Sequence, residues 1–243
     1  MNCPGSVLAS RGKPDTPSKY AIEGTAAHTV SEWVRRQNVP ASTFKGVIVR
    51  VQHAPNDNGK TYSDVACGKP MVDSVQTFVD LVRPDPWELA LIEERVHYAY
   101  GAGTLDDGRL QYGLGKSTDF KHGTGVKKNA KWNPQLMHYA VGLHLKWDWL
   151  YGFDKWVLGI CQPRLKHFDE WEISAKDLLA WYDDVAIPAA WRALTPGQPR
   201  VAGDWCQFCR VRKTCATKAQ YNIEMGSAKN KAIAQEHFSA IDD

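Results

Sequence analysis

Long apolar runs are missing from this 243-residue chain. No stretch approaches the roughly 20 consecutive apolar residues of a membrane-spanning helix, so none is expected. The first ten residues lack a basic region followed by an apolar run, the mark of a secretory leader, which points to a reducing cytoplasm. No repeat period recurs, which argues against a solenoid. Charge of one sign is scarce as well. Thirty Lys and Arg stand against 27 Asp and Glu, a net charge of +3, so local clustering is the better test for a polyanionic partner. Six cysteines are too few for a disulfide scaffold of this length and, in a reducing compartment, read as thiols or metal ligands. What remains is ordinary for a globular protein, 43% hydrophobic and 23% charged residues, with a high count of ten Trp expected mainly in packing.

Periodicity and punctuation place the elements. Residues 24–37 read as a helix capped by Thr25, with Val30, Trp33 and Val34 at helical spacing. Residues 40–70 are mixed, with a polar loop at Asn56-Asp57-Asn58-Gly59. Val72, Val75, Val79 and Val82 share a face of a helix over 70–82, which Pro84 and Pro86 end. Residues 89–100 suit a strand. Residues 103–112 read as a second strand or hairpin arm around Asp107-Gly108, a good turn dipeptide. A third strand leads into Asp119-Phe120-Lys121. Asn133 and Pro134 then begin a helix that continues to Leu150. Residues 155–161 form a short buried strand, 170–173 another, and Ser174 caps a helix through Trp191. Pro196-Gly197 and Pro199 lead into a cysteine-rich segment, and 226–243 is a polar helix or tail. The order predicts an α/β fold with auxiliary helices.

Asp106 and Asp119 fall on neighbouring strands, where two carboxylates can converge on a hard divalent cation such as Mg2+. Strand alternation puts Asp119 and Lys121 on one face, and the lysine can orient a water beside the metal. A phosphodiester needs that combination, because its charge repels hydroxide and its leaving oxygen needs stabilising. The tripeptide alone recurs by chance in many proteins. Two further features add to it. Gln135 and Tyr139, four residues apart on the following helix, share a face, and His28 on the first helix can complete a metal site that two carboxylates begin.

Cys206-Gln207-Phe208-Cys209 and Cys215 bring three thiols within ten residues at a chelating spacing. Cys3 is the candidate fourth ligand, since Cys67 and Cys161 lie inside expected elements and Cys161 follows an apolar run. Four thiolates fit either a 4Fe–4S cluster or a structural Zn2+, and spacing does not choose between them.

Taken together these residues resemble the phage-encoded relatives of the RecB-like PD-(D/E)XK nucleases, a group that includes the CRISPR-associated iron–sulfur nucleases and the AddB nuclease domain. The resemblance rests on Asn2-Cys3-Pro4-Gly5-Ser6, Glu23-Gly24-Thr25-Ala26-Ala27-His28, Gly103-Thr104-Leu105-Asp106, Asp119-Phe120-Lys121, the run from Asn133 to Ala140, Gln162-Pro163-Arg164 and Trp205-Cys206-Gln207-Phe208-Cys209. These follow the family's order along nearly the whole chain. The family's strand before the D-x-K motif is apolar, whereas here Gly113-Leu114-Gly115-Lys116-Ser117-Thr118 is polar and glycine-rich.

The resemblance implies a restriction-endonuclease-like core, a mixed central sheet flanked by helices, over about 20–165. With a cysteine region at 200–220, this makes a single nuclease domain over 1–225, followed by a polar tail at 226–243. It implies that His28, Asp106 and Asp119 bind Mg2+ or Mn2+ together with the Phe120 carbonyl, that Lys121 positions the attacking water, and that Gln135 and Tyr139 support the site and the DNA. Cys3, Cys206, Cys209 and Cys215 would hold a cluster, 4Fe–4S by the family's habit. The implied activity is a metal-dependent deoxyribonuclease, acting on DNA ends or single strands as an exonuclease, in phage DNA replication, recombination or processing alongside the proteins of those processes. Lys127, Lys128 and Lys131 would contact phosphates. The competing expectations are a non-catalytic DNA-binding scaffold, favoured by the polar third strand, and a Zn-stabilised interaction module.

Overall fold

A computed structural model describes residues 2–13, 17–53 and 61–239. The Asn56–Gly59 loop and the last four residues of the polar tail lie outside the described residues. The chain divides into two compact units, a larger one over 16–187 and a smaller one made of 1–15 and 188–243. In chain order the elements are α1 (Ser6–Ser10), α2 (Lys19–Gln37), β1 (Ile48–His53), β2 (Thr61–Ala66), α3 (Lys69–Leu81), β3 (Leu89–Tyr98), β4 (Gly101–Gln111), β5 (Leu114–Phe120), α4 (Pro134–Tyr151), β6 (Lys155–Gln162), β7 (His167–Ser174), α5 (Ala175–Trp181), α6 (Ile187–Leu194) and α7 (Ala216–Ser239). Among the described residues no helix is long and apolar enough to cross a membrane.

The larger unit is a mixed α/β structure. Its main sheet has the order β3-β4-β5-β6-β7. Neighbours are antiparallel except β5 and β6, which run parallel because α4 carries the chain back between them. A core lies on each face. On one, α4 sets Leu136, Met137, Val141 and Leu143 against Leu105, Leu110, Trp156 and Leu158 of the sheet. On the other, α2, α3 and the β1–β2 hairpin bury Val30, Val75 and Phe78 around Phe120 and Cys161. Each fully buried side chain of this size contributes roughly 1.5–3 kcal/mol on leaving water.

Local chemistry explains most boundaries. Asn133 caps α4, accepting from the N–H groups of Gln135 (3.0 Å) and Leu136 (3.4 Å), with Pro134 at the first helical position. Ser174 accepts from the Asp177 N–H at 3.0 Å and starts α5. The helix expected to continue through Trp191 is interrupted by a π-helical turn at Tyr182–Ala186, whose Tyr182 hydroxyl accepts from the Ala99 N–H. Helix α2 begins earlier than residue 24: Ser18 is its cap, accepting from Ala21 N–H at 3.2 Å, and the Thr25 hydroxyl lies within the helix, donating to the Ala21 carbonyl. Helix α7 passes through residue 226 without a break.

Two differences from the sequence reading matter for the site. Asp107-Gly108 is not a turn. Strand β4 runs straight through it, because the Asp107 carboxylate is fully buried between Arg35 and Arg109 and the chain reverses at 99–100 and 112–113 instead. The polar β5 takes its place in the middle of the sheet, paired on both sides. Its glycine answers to close packing: a Cβ at Gly115 would stand 2.4 Å from the Trp156 ring. Among its polar residues, Thr118 accepts from Arg109 at 3.1 Å and Lys116 pairs with the Glu88 side chain at 2.7 Å, while the buried Ser117 hydroxyl has no hydrogen bond among the described residues.

Candidate metal centre and cysteine cavity

The strand register aligns three carboxylates across the sheet of the larger unit. In the β3–β4 ladder Ile92 pairs with Asp107 and Glu94 with Leu105, which sets Glu93 opposite Asp106. In the β4–β5 ladder the last pair is Asp107 with Thr118, which sets Asp106 opposite Asp119 one step beyond it. Neither of these facing pairs belongs to a ladder, so the sheet opens where the row lies. Glu93 holds the exception in place with a left-handed φ of +49°, a conformation that costs a non-glycine residue about 1–3 kcal/mol and tends to gather at functional sites.

Helix α2 brings His28 to this row. Its Nδ1 lies 3.1 Å from Asp106 Oδ1 and 3.6 Å from Glu93 Oε1. Among the described residues, His28, Glu93 and Asp106 are the group whose ligand atoms lie within 4.8 Å of one another, as a metal site requires. Burial works to lower the His28 pKa, but hydrogen bonds to Asp106 and Glu93 and their charges outweigh it and raise it to about 10. Burial pushes the Glu93 carboxyl up. The other Asp106 oxygen accepts from the Phe120 N–H at 2.6 Å, tying β4 to the end of β5. Two turns further along the same face of α2, Arg35 donates to the Asp106 carbonyl at 2.9 Å and pairs with Asp107 at 2.5 Å, and Arg109 closes Asp107 from the other side at 3.0 Å.

Asp119 is 3% exposed, and burial followed by the neighbouring Asp106 charge raises its pKa to about 6. The Lys121 ammonium straddles it, 2.9 Å from each oxygen. Hydrogen-bond geometry is met at Oδ1, which also accepts from Gln135 Nε2 at 3.0 Å, while the buried Oδ2 has no hydrogen bond among the described residues. Gln135 also joins Lys121 at 3.3 Å and the Tyr139 hydroxyl at 3.1 Å. The Tyr139 ring lies over Gly103, where a Cβ would come within 2.5 Å of it, which is the reason for glycine at that position of β4. Phe120 turns its ring to the opposite core, stacked on Phe78 at 4.7 Å and 5.3 Å from the His28 ring.

The donor set fits a hard divalent cation. It offers carboxylate oxygens and one imidazole, and Asp119 Oδ2, which accepts no hydrogen bond although the Lys121 ammonium stands 2.9 Å away, has a lone pair for a ligand bond. His28, Asp106, Asp119, Lys121, Gln135 and Tyr139 are thus gathered at one place. Glu93, absent from the sequence reading, is added, as are Arg35 and Asp107 beneath. A second cluster borders them. His122, buried, sits 3.0 Å from the Ser74 hydroxyl and 3.2 Å from Glu23, which also accepts from Arg164 at 3.1 Å.

The loop carrying Lys127, Lys128 and Lys131 exposes those side chains but has a fixed backbone. Gln162 accepts from the Lys128 N–H at 2.7 Å, Asp169 from the Ala130 N–H at 2.7 Å, and His167 meets the Lys128 carbonyl at 2.8 Å.

In the smaller unit, Cys3, Cys206, Cys209 and Cys215 line one cavity of about 680 Å³. The N-terminal segment reaches it because Gly5 N–H donates to the Pro199 carbonyl at 3.0 Å and Val201 N–H to Cys3 Sγ at 3.3 Å. Cys206 lies within a 3-10 turn, Asp204–Phe208, and Cys209 follows at its C-terminal end. Cys215 precedes α7, and the Lys218 N–H, outweighing a smaller burial penalty and joined by Arg200, lowers its thiol pKa. These donors favour the Cys215 thiolate. Among the described residues, no three of the thiols come within 4.8 Å of one another.

A solved structure titled "Crystal structure of SSO0001" aligns with 54% of this chain at 16% identity, with a TM-score of 0.25; the chain spans 59% of that protein's length. Likeness at that level carries no argument. The model of the family described as "Protein of unknown function (DUF2800)" matches residues 1–241, and the chain belongs to that family.

Proposed function

We propose that this protein is a metal-dependent deoxyribonuclease of the RecB-like PD-(D/E)XK type, hydrolysing phosphodiester bonds at DNA ends or in single strands. The observation that carries the reading is the row Glu93, Asp106 and Asp119 across three adjacent strands, where the β3–β4 pairing is interrupted and the β4–β5 pairing stops, with His28 on one side and Lys121 on the other. Mg2+ or Mn2+, held by these four oxygen and nitrogen donors and the Phe120 carbonyl, would neutralise phosphate charge and lower the pKa of a bound water.

The remaining work falls to the chain. Lys121, fixed by Asp119 and Gln135, offers its ammonium protons to the attacking water and to a phosphate oxygen. Gln135, itself steadied by Tyr139, holds Asp119 and Lys121 in register. Arg35 and Asp107 keep the Asp106 backbone from shifting. The pinned loop presents Lys127, Lys128 and Lys131 to the phosphate backbone. The four thiols would hold a 4Fe–4S cluster with a structural role.

End-labelled single-stranded and duplex DNA, incubated with Mn2+, Mg2+, Ca2+ or chelator, tests this. Cleavage is expected with Mn2+ and Mg2+, and binding without turnover with Ca2+, which is larger and geometrically looser. Binding without cleavage under every metal would leave the scaffold reading.

A further inference from the structure

Trp132 is 56% exposed, yet its backbone is held at φ +57°, where a bulky side chain rests only if its surroundings enforce it. The enforcement is visible on both sides. Ala130 is anchored to Asp169, and Asn133 caps α4 with its Oδ1 while its Nδ2 donates to the Asn129 carbonyl at 3.2 Å. The strain therefore keeps an indole at the surface instead of burying it. That indole packs against Trp171, with ring centroids 4.8 Å apart and planes at 49°. Both rings, with Trp181, line a cavity of about 680 Å³ that Ile173 and Val185 help to close.

The position is as telling as the geometry. Lys131 precedes Trp132, and Lys127 and Lys128 share its pinned loop. Gln135, three residues later, bonds Asp119 and Lys121. The cavity also carries Glu172, Asp177 and Asp184, whose charge would repel a phosphate. A nucleic-acid strand passing here would keep its backbone on the lysine side and turn a base toward the indoles.

We propose that Trp132, backed by Trp171, is a stacking platform for an unpaired base of the DNA strand entering the site; the proposal rests on the nuclease reading of that site. Stacking on an aromatic ring tolerates every base, because every base has a π-face. A base inside a duplex has both faces covered by its neighbours and cannot reach the platform. The platform therefore confers a preference for single-stranded DNA.

The test uses the full chain in Ca2+, with anisotropy of labelled oligothymidylate and of a blunt duplex of equal length. Trp132→Leu keeps apolar bulk but removes the π-face. It should weaken oligothymidylate binding about 5- to 100-fold and alter duplex binding by less than about twofold. Trp132→Phe should recover most of the loss. Unchanged single-strand affinity in Trp132→Leu, or an equal loss on both forms of DNA, overturns the platform. The same proteins in Mn2+ report on the nuclease reading separately. A wild type that cuts nothing overturns that reading, while Leu-sensitive, Phe-rescued single-strand binding still supports the platform.

Discussion

The carboxylate row of the larger unit lies on a sheet with an apolar core on each face, whereas the four cysteines of the smaller unit surround a cavity with little apolar packing behind it. Both hydrophobic clusters belong to the larger unit. In the smaller one the buried hydrophobic residues among those described are Ala193, Cys206 and Val211, and α1 buries none. A segment with so small a core needs a staple, and a metal group is the staple its side chains offer. The larger unit instead holds its site with its own side chains: Arg35 and Arg109 on Asp107, Phe120 N–H on Asp106, Gln135 on Asp119. If both regions bind metal as proposed, the difference predicts that metal loss unfolds one region and merely empties the other.

The strongest way to break that contrast is Cys206→Ala. Structural metal sites contribute about 10–16 kcal/mol of apparent binding free energy, much of it folding free energy. Anaerobically purified wild type should contain iron and absorb in the visible, and Cys206→Ala should contain none. Limited proteolysis should then cut the variant within 188–239 while 16–187 resists. A variant that is metal-free and equally resistant throughout would remove the contrast.

Next comes Asp107→Ala, which strips the carboxylate from two buried guanidiniums. Leaving such charges unpaired costs about 3–5 kcal/mol. The urea midpoint of the larger unit should fall accordingly with iron content unchanged. A loss under about 1 kcal/mol would mean that the pair does not support the row.

The smallest effect, taken per pH unit, is a proton linkage. Without metal, His28 keeps its proton until about pH 10, held by Asp106 and Glu93. A metal requires the neutral imidazole, so binding releases that proton. Between pH 6 and 9 affinity for Mn2+ should rise about tenfold per pH unit. Below about pH 6, where Asp119 also takes up a proton, the dependence should steepen. Calorimetry in buffers of different ionisation enthalpy counts the protons released. A pH-independent affinity above pH 7 would remove His28 from the ligand set.

How much of this was legible in the sequence depends on the range of the interaction. Asn133-Pro134 and Ser174 announce helix starts because the capping bonds are local. The D-x-K motif and the Gln135–Tyr139 pair announce themselves by spacing, and the structure gathers them. Glu93 has no such mark. It stands among Ile92, Glu94 and Arg95 and becomes meaningful only when the hairpin turn at 99–100 fixes its register against Asp106. Asp107-Gly108 misleads for the converse reason. Its local turn preference is overridden by two arginines, one of them 72 residues away in sequence. The β1–β2 hairpin hid in a mixed stretch, since its strands have one exposed face and a polar connection. The polar β5 looked unlike a central strand because its partners, Arg109, Glu88 and the Trp156 ring, come from elsewhere in the chain.

The most direct test of the carboxylate row is Mn2+ binding and cleavage of end-labelled DNA measured side by side for wild type, Glu93→Gln and Asp119→Asn. Each variant keeps the shape of its side chain and removes one charge. The account predicts that wild type cuts, that both variants bind Mn2+ at least about tenfold more weakly and lose cleavage about 100-fold or more, and that both unfold in urea as wild type does. Wild-type cleavage rates in Glu93→Gln and Asp119→Asn with Mn2+ would contradict it.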